Sequence, residues 1–486
     1  MKKMKTKYML YGCLLGGAMM VASSCSDFTD VQPKGKNLLS TTTQLEMLLN
    51  REFYMDSGDG PQFVGDIIGT LSNIPTLLSQ PTPTRSSIIL SWDETLQDKL
   101  AELTASDSEY SEYYGIIGQV ANPILSRLSE ATGDEATKNR LRCEALTLRA
   151  YFHYLVVNKF AKAYNPATAA EDPGVPYVLE TQDVAQPTVK LTVQEVYDHI
   201  LADAQEAIDL DGLPTVAVNR MRLSKPCAYA VKALALMSMQ RFDEAEEAAR
   251  QALDLNSTVN NYTEMLATST NLLGESYQVL FRPRLECEED LFYTHSLEFF
   301  EALTPEAIAR FEPGYATLEL IDTDIKMYAG ISGGMATSML GLDDSYPMTY
   351  DLNSGWNMAG LKTTHMYLVV AEAEIHKGNY DEAMRALDAI RVNRLDPSVY
   401  QPLEGTVNTL EDAMLHLKQV SHGENIYSVY NFINRKRWNQ VSGWEETFTK
   451  SLAGNTYELT PDSPLWIFPF PQNVINNNPG ITQNYQ

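Results

Sequence analysis

The chain has 486 residues, with 63 acidic against 37 basic side chains and a formal charge of −26. A field of that sign repels nucleic acid and anionic lipid surfaces. The length exceeds what one compact core usually holds, so two or three lobes or a helical repeat array are expected.

Residues 1–7 carry four lysines and no acid, residues 8–21 are mostly apolar, and Ala22-Ser23-Ser24 precedes Cys25. A basic end, a short apolar core and small residues before a cut are the layout of a secretory signal. The run is shorter than the roughly 20 apolar residues a permanent transmembrane helix needs. Cleavage before Cys25 leaves a thiol at the new N-terminus to carry lipid. Residues 1–24 therefore read as a signal peptide and 25–37 as a lipidated tether. Leu10-Tyr11-Gly12-Cys13 has a similar pattern, but almost no apolar core precedes it. Asp27 and Asp30 resemble the acidic signal that sends some lipoproteins to the cell surface. No later segment is apolar over a membrane-spanning length.

Apolar spacing predicts helices over residues 44–50, 110–128 and 137–164. Thr192-Val-Gln-Glu195 has the capping-box spacing and should open another helix. Two later stretches match each other: residues 235–248, with Phe242-Asp-Glu-Ala245, and residues 373–386, with Tyr380-Asp-Glu-Ala383. Each reads as an apolar helix, a turn, an aromatic wedge and a second amphipathic helix. That is the tetratricopeptide pattern, in which a hairpin buries its apolar face only by stacking on neighbours. Residues 256–360 lose the helical period and gain Gly, Pro, Ser, Asp and aromatics, so long irregular loops with a few short strands are expected there. A helix returns over 410–420, and Pro469, Pro471 and Pro479 with Asn476 to Asn478 predict an extended, turn-rich C-terminal strap. The expected parts are thus 38–255, 256–360 and 361–486. Past the lipid site, Cys143, Cys227 and Cys287 are an odd set without metal-ligand spacing; Cys143 and Cys227 fall in helical patterns and read as buried small hydrophobes, and a Cys227–Cys287 bridge stays open without support in the sequence.

Several segments in order resemble the SusD/RagB family of surface lipoproteins. They are Tyr114-Gly-Ile-Ile117, Asn122-Pro-Ile-Leu125, Leu146-Thr-Leu-Arg149-Ala150-Tyr151-Phe152-His153-Tyr154, the helix from Thr192 to Ala207, Tyr367-Leu-Val-Val-Ala371-Glu372-Ala373, Ala389-Ile-Arg391 and the ending Phe468-Pro-Phe-Pro471 to Asn484. The family's Glu-Arg...Asp-Leu-x-Arg-Trp helix pair is represented only by Arg437-Trp438, which marks a divergent member. The resemblance implies a mostly α fold: tetratricopeptide-like hairpins in a right-handed superhelical scaffold, with irregular loops forming a ligand face. It also implies a protein held at the outer membrane by lipid on Cys25, facing the cell exterior, that caps a SusC-like TonB-dependent transporter and delivers a nutrient to it. The cargo it implies is an oligosaccharide or polysaccharide, with peptides as the alternative and a ligand-free repeat scaffold as a second class of reading.

A sugar-binding face needs flat aromatic rings with planar polar groups beside them. Three loop clusters offer this: Trp92-Asp93 with Arg85 upstream, Tyr346 and Tyr350 among Asp343, Asp344 and Asp351, and Trp356-Asn357 after Gly355. For each, the plainer reading is an aromatic that packs its loop onto the body. Enzymatic signals are thin. Gly330-Ile-Ser332-Gly-Gly334 has nucleophile-elbow spacing but no apolar strand before it, so a serine esterase is a distant third reading. The seven histidines form no zinc-type pair, and Asp56-Ser-Gly-Asp59-Gly60 lacks a full calcium loop. No catalytic residue, metal or cofactor is expected.

Overall fold

Polar caps set where the helices begin. In the computed structural model, which describes residues 39–53, 58–70, 72–182, 186–270, 273–294, 299–320, 338–343, 345–351 and 355–485, Thr41 opens α1 (Thr42–Leu49) by accepting from the Gln44 amide. Asp107 caps α2 (Ser108–Ile116) and Asp134 caps α3 (Glu135–Phe160) in the same way. The capping box read from Thr192 and Glu195 opens α4 (Val193–Asp209): Thr192 Oγ1 accepts from the Glu195 amide at 3.2 Å, and Glu195 Oε2 accepts from the Thr192 amide at 2.8 Å. The helix predicted over 110–128 is interrupted by a π-helical turn, Ile117–Ala121, before it continues as Asn122–Arg127.

Two hairpins follow the matched sequences: α5 (Lys225–Ser238) with α6 (Phe242–Leu255), and α7 (Thr363–Lys377) with α8 (Tyr380–Arg391). The C-terminal pair is α9 (Leu410–Asn425) and α10 (Val429–Trp438). Helices α3 and α4 pack together, α4 on α5, α6 on α7 and α8 on α9, giving a mostly α, tetratricopeptide-like stack. The two matched hairpins are therefore neighbours in space, although residues 256–360 separate them in the chain. Phe242 stacks on His376 of the next hairpin with ring centres 3.7 Å apart, and His376 stacks in turn on Trp444. Ala245, Ala248, Ala249 and Ala252 are buried on α6, where small side chains let α7 approach.

Among its described residues, the intervening segment carries the expected short strands. Strand β1 (Ile67–Ile68), from early in the chain, forms the edge of its main sheet. The hairpin of β2 (Leu266–Thr270) and β3 (Ser276–Leu280) precedes β4 (Asp290–Phe292) and β5 (Phe299–Leu303). Strand β5 lies between β1 and β6 (Met348–Asp351), antiparallel to both, while β4 pairs with β7 (Leu361–Lys362). Ahead of the C-terminal strap lies a hairpin that the sequence pattern did not suggest, β8 (Phe448–Leu452) and β9 (Asn455–Leu459). Its turn residues Ala453 and Gly454 have φ of 52° and 79°, as a tight two-residue hairpin turn requires.

Residues 41–486 form one compact unit, and the expected boundaries at 255 and 360 fall at the end of α6 and just before β7. Buried polar links tie its parts together. Arg149 on α3 grips Asp203 on α4 through two bonds of 2.6 and 2.8 Å. Glu372 on α7 accepts two bonds of 2.5 Å from Arg437 and one of 3.0 Å from the Trp438 indole on α10. Asn484 donates to the carbonyls of Phe160 and Gly174, pinning the end of the strap to the end of α3. Cys143, Cys227 and Cys287 are free and buried. Among the described residues, no helix is long and apolar enough to cross a membrane.

Candidate ligand-binding face

The three sequence-chosen clusters have different surroundings. Trp92 ends the short helix Arg85–Ser91 with φ of 51°, a left-handed turn that directs its indole inward. Its Nε1 donates to the Phe63 carbonyl at 2.6 Å, the Lys450 ammonium sits 3.7 Å from the ring centre, and the residue is 4% exposed. Arg85 is paired with Asp59, so its charge is already met. Asp93 caps the next helical turn through Thr95. Tyr346 packs with Ile68, Ile74 and Leu340, and its hydroxyl donates to the Ser451 carbonyl at 2.6 Å. Tyr350 lies on β6, opposite Phe300. Asp343 caps a turn at Ser345, whereas Asp344, Ser332 and Cys25 lie outside the described residues.

The third cluster sits above a buried charge network. Arg394 bonds Glu289 and Glu424 at 2.9 and 2.6 Å and lies 3.6 Å from the Tyr262 ring centre. Arg282 reaches Glu289 and Asp290, and Lys362 reaches Glu424. Burial pushes the Glu424 carboxyl up, but Arg394 and Lys362 outweigh it and hold it below the ordinary value. The network joins the loop segment to α8 and α9, which fixes the loops on the repeat stack. Asn357 belongs to it: its Nδ2 donates to Asp290 and to the Phe292 carbonyl, and its Oδ1 accepts from the Thr294 amide. Trp356 lies over the network, half-buried between Tyr262 and Tyr427.

One exposed aromatic beside this cluster was not singled out in the sequence. Phe281, at the end of β3, is 59% exposed. Its neighbour Arg282 donates to the Gly355 carbonyl at 2.6 Å. Arg284 lies across Gly355, where a Cβ would come within 2.7 Å of its side chain. Phe281, Arg284 and Trp356 are therefore carried by two strips of chain that run side by side. The signal that hid Phe281 is the strand period, which would turn Tyr277, Val279 and Phe281 to one face. The strand ends at Leu280, so Leu280 is buried and Phe281 is not.

Among the described residues, two clusters have the spacing for a metal, and both are met by cations of the chain. Asp59, Asp107 and Glu109 surround the Lys159 ammonium, with Arg85 on the outer side. Cys287, Glu289 and Asp290 surround Arg282. His153 is structural: its Nδ1 donates to the Arg149 carbonyl, its Nε2 accepts from the Val178 amide, and burial lowers its pKa to about 3.

Residues 73–235 match the SusD-like family model described as starch-binding, associating with outer membrane. That segment therefore resembles the SusD-like family. The SusD-like fold extends beyond that segment. A SusD superfamily protein from Bacteroides thetaiotaomicron superposes with a TM-score of 0.62 at 18% identity, covering 91% of this chain and 99% of that one. Surface glycan-binding protein A from Bacteroides uniformis gives 0.61 at 15%, covering 92% and 100%. A SusD-like carbohydrate binding protein from Bacteroides vulgatus gives 0.57 at 14%, covering 92% and 98%. No curated protein matches the sequence.

Proposed function

We propose that this SusD-like chain is a cell-surface lipoprotein, tethered through lipid on Cys25, that binds a glycan nutrient and hands it to a SusC-like TonB-dependent transporter. The observation that carries the reading is the match of residues 73–235 to a family described as starch-binding and associating with outer membrane. The mature N-terminus begins at Cys25, and the helical stack faces the transporter. The glycan lies on the loop segment, with a pyranose ring against Phe281 and Trp356 and its hydroxyls beside Arg284. Of the residues chosen from sequence, Trp356 stays in direct contact. Trp92, Tyr346, Arg85 and Asn357 hold the surrounding loops, and Asp93 caps the turn after Trp92.

The test is retardation of the purified protein in native gels cast with a panel of neutral and acidic polysaccharides, with a peptide mixture followed by calorimetry. Retardation by one glycan class supports the proposal and names the cargo. Heat with peptides and no retardation moves the cargo to peptides. Silence in both overturns ligand binding by the isolated chain.

A further inference from the structure

One sizeable cavity lies away from the loop face. A cleft of about 630 Å³ opens between α9, α10 and the turn after Pro305–Ala309, a volume typical of small-molecule sites. Its walls are aliphatic: Met414 and Leu415 with Leu410, of which Leu410 and Leu415 are 43% and 53% exposed. Its floor is charged. Arg310 and Arg435 both bond the buried carboxylate of Asp66, at 2.6 and 2.8 Å.

Asp66 is a single acid shared by two guanidinium groups, and Asn431, which donates to its Oδ2 at 2.6 Å, is neutral. His422 does not add an acid or a charge there: its Nε2 donates to the Ala307 carbonyl, so its Nδ1 accepts from Arg435 at 3.1 Å. Behind Asp66, Lys450 and Glu306 are of opposite sign. At the mouth, Lys418 is paired with Glu446 at 2.9 Å and Glu411 is exposed to water. The uncompensated positive charge therefore lies at the floor, under aliphatic walls, in a chain that is strongly acidic. Arg310 bonds Asp66 through Nη1 and keeps a quarter of its side chain exposed in the cleft, with Nε and Nη2 bonded to no described residue. A carboxylate fits a guanidinium edge of this kind in two parallel bonds.

We infer that this cleft is a second binding site, separate from the glycan face, for a small organic anion with one carboxylate on an aliphatic body. The carboxylate takes the open edge of Arg310, and the body lies along Met414 and Leu415. Because this site shares no residue with Phe281, Arg284 or Trp356, it stands or falls independently of the glycan reading.

Calorimetry with octanoate as probe tests it, alongside octanamide, octylamine and digalacturonate. Saturable octanoate binding is expected, weakened about tenfold or more in octanamide and in Arg310→Gln, the scale of one lost charge-assisted contact. Leu415→Asp, on an exposed wall position, should abolish octanoate binding with the circular dichroism unchanged, which separates loss of the site from loss of the fold. Equal binding of octanoate and octanamide, or no effect of either variant, would overturn the assignment. So would no octanoate heat at all. Binding of digalacturonate with silence from octanoate would overturn the aliphatic body and make the site one for acidic sugars.

Discussion

The repeat stack and the loop segment 256–360 differ in what their polar residues do. On the stack, the residues that carry the family resemblance link one helix to another. Arg149 belongs to the α3 motif and Asp203 to the α4 motif, and they are partners. Glu372 and the Arg437-Trp438 pair come from motifs far apart in sequence and meet in one buried contact. In the loop segment, the polar residues are drawn into one network around Arg394, and aromatic surface is left at the edge. The resemblance therefore identifies the scaffold through its cross-links. The surface that would meet a ligand lies where those motifs are silent.

The comparison breaks first at its strongest link. Glu372→Ala leaves Arg437 buried without a counter-charge, so it should cost about 3–5 kcal/mol, read by urea unfolding. Glu372→Gln, which keeps hydrogen bonding, should cost less. If both variants unfold like the parent, the cross-link account of the motif residues fails.

A second effect concerns pH. Burial lowers the pKa of His422 to about 4 and that of His153 to about 3, against ordinary values near 6.5. The unfolded chain therefore takes up protons that the folded chain refuses as pH falls below 6.5. Stability should be fully present above pH 6.5 and decline through pH 4, by a few kcal/mol in total. A flat stability profile between pH 7 and 4.5 would contradict the neutral, hydrogen-bonded state of both rings.

Lys450 gives a smaller effect of opposite use. Its ammonium has no hydrogen-bond partner among the described residues, and burial lowers its pKa to about 7 from about 10.5. The penalty is fully present below pH 7, where both states are protonated, and fades as pH rises towards 10.5. Lys450→Met should therefore stabilise the protein at pH 6 by about 1–3 kcal/mol and gain little at pH 10. Equal gains at both pH values would mean that packing against Trp92, not charge, decides the outcome. The smallest expected stability change is at the loop edge, where Phe281→Ala should lie within about 0.5 kcal/mol of the parent.

How much was legible in the sequence follows the same division. The capping box at Thr192 and the matched hairpins around Phe242 and Tyr380 are local signals, and each appears in the structure where the pattern puts it. That the two hairpins stack directly was not readable, because it depends on the loop segment looping out of the repeat order. The β8–β9 hairpin was missed because Lys450 occupies an inward position of the alternating strand and disguises it. Trp92-Asp93 looked like an open aromatic pair, but the left-handed turn at Trp92 decides its direction, and no neighbouring residue announces that turn. Phe281 was hidden by its place at the end of an otherwise inward-facing run.

The most direct measurement of the central claim is the affinity of a retarding glycan for three proteins of equal fold: the parent, Phe281→Ala and Tyr110→Ala. Tyr110 packs on Phe160 and Phe470 within the stack and serves as the scaffold control. The account predicts that Phe281→Ala loses tenfold or more in affinity, about 1.4 kcal/mol, with its unfolding curve unchanged, while Tyr110→Ala binds like the parent. Parent-like binding by Phe281→Ala, or equal loss in both variants, would contradict a ligand face on the loop segment.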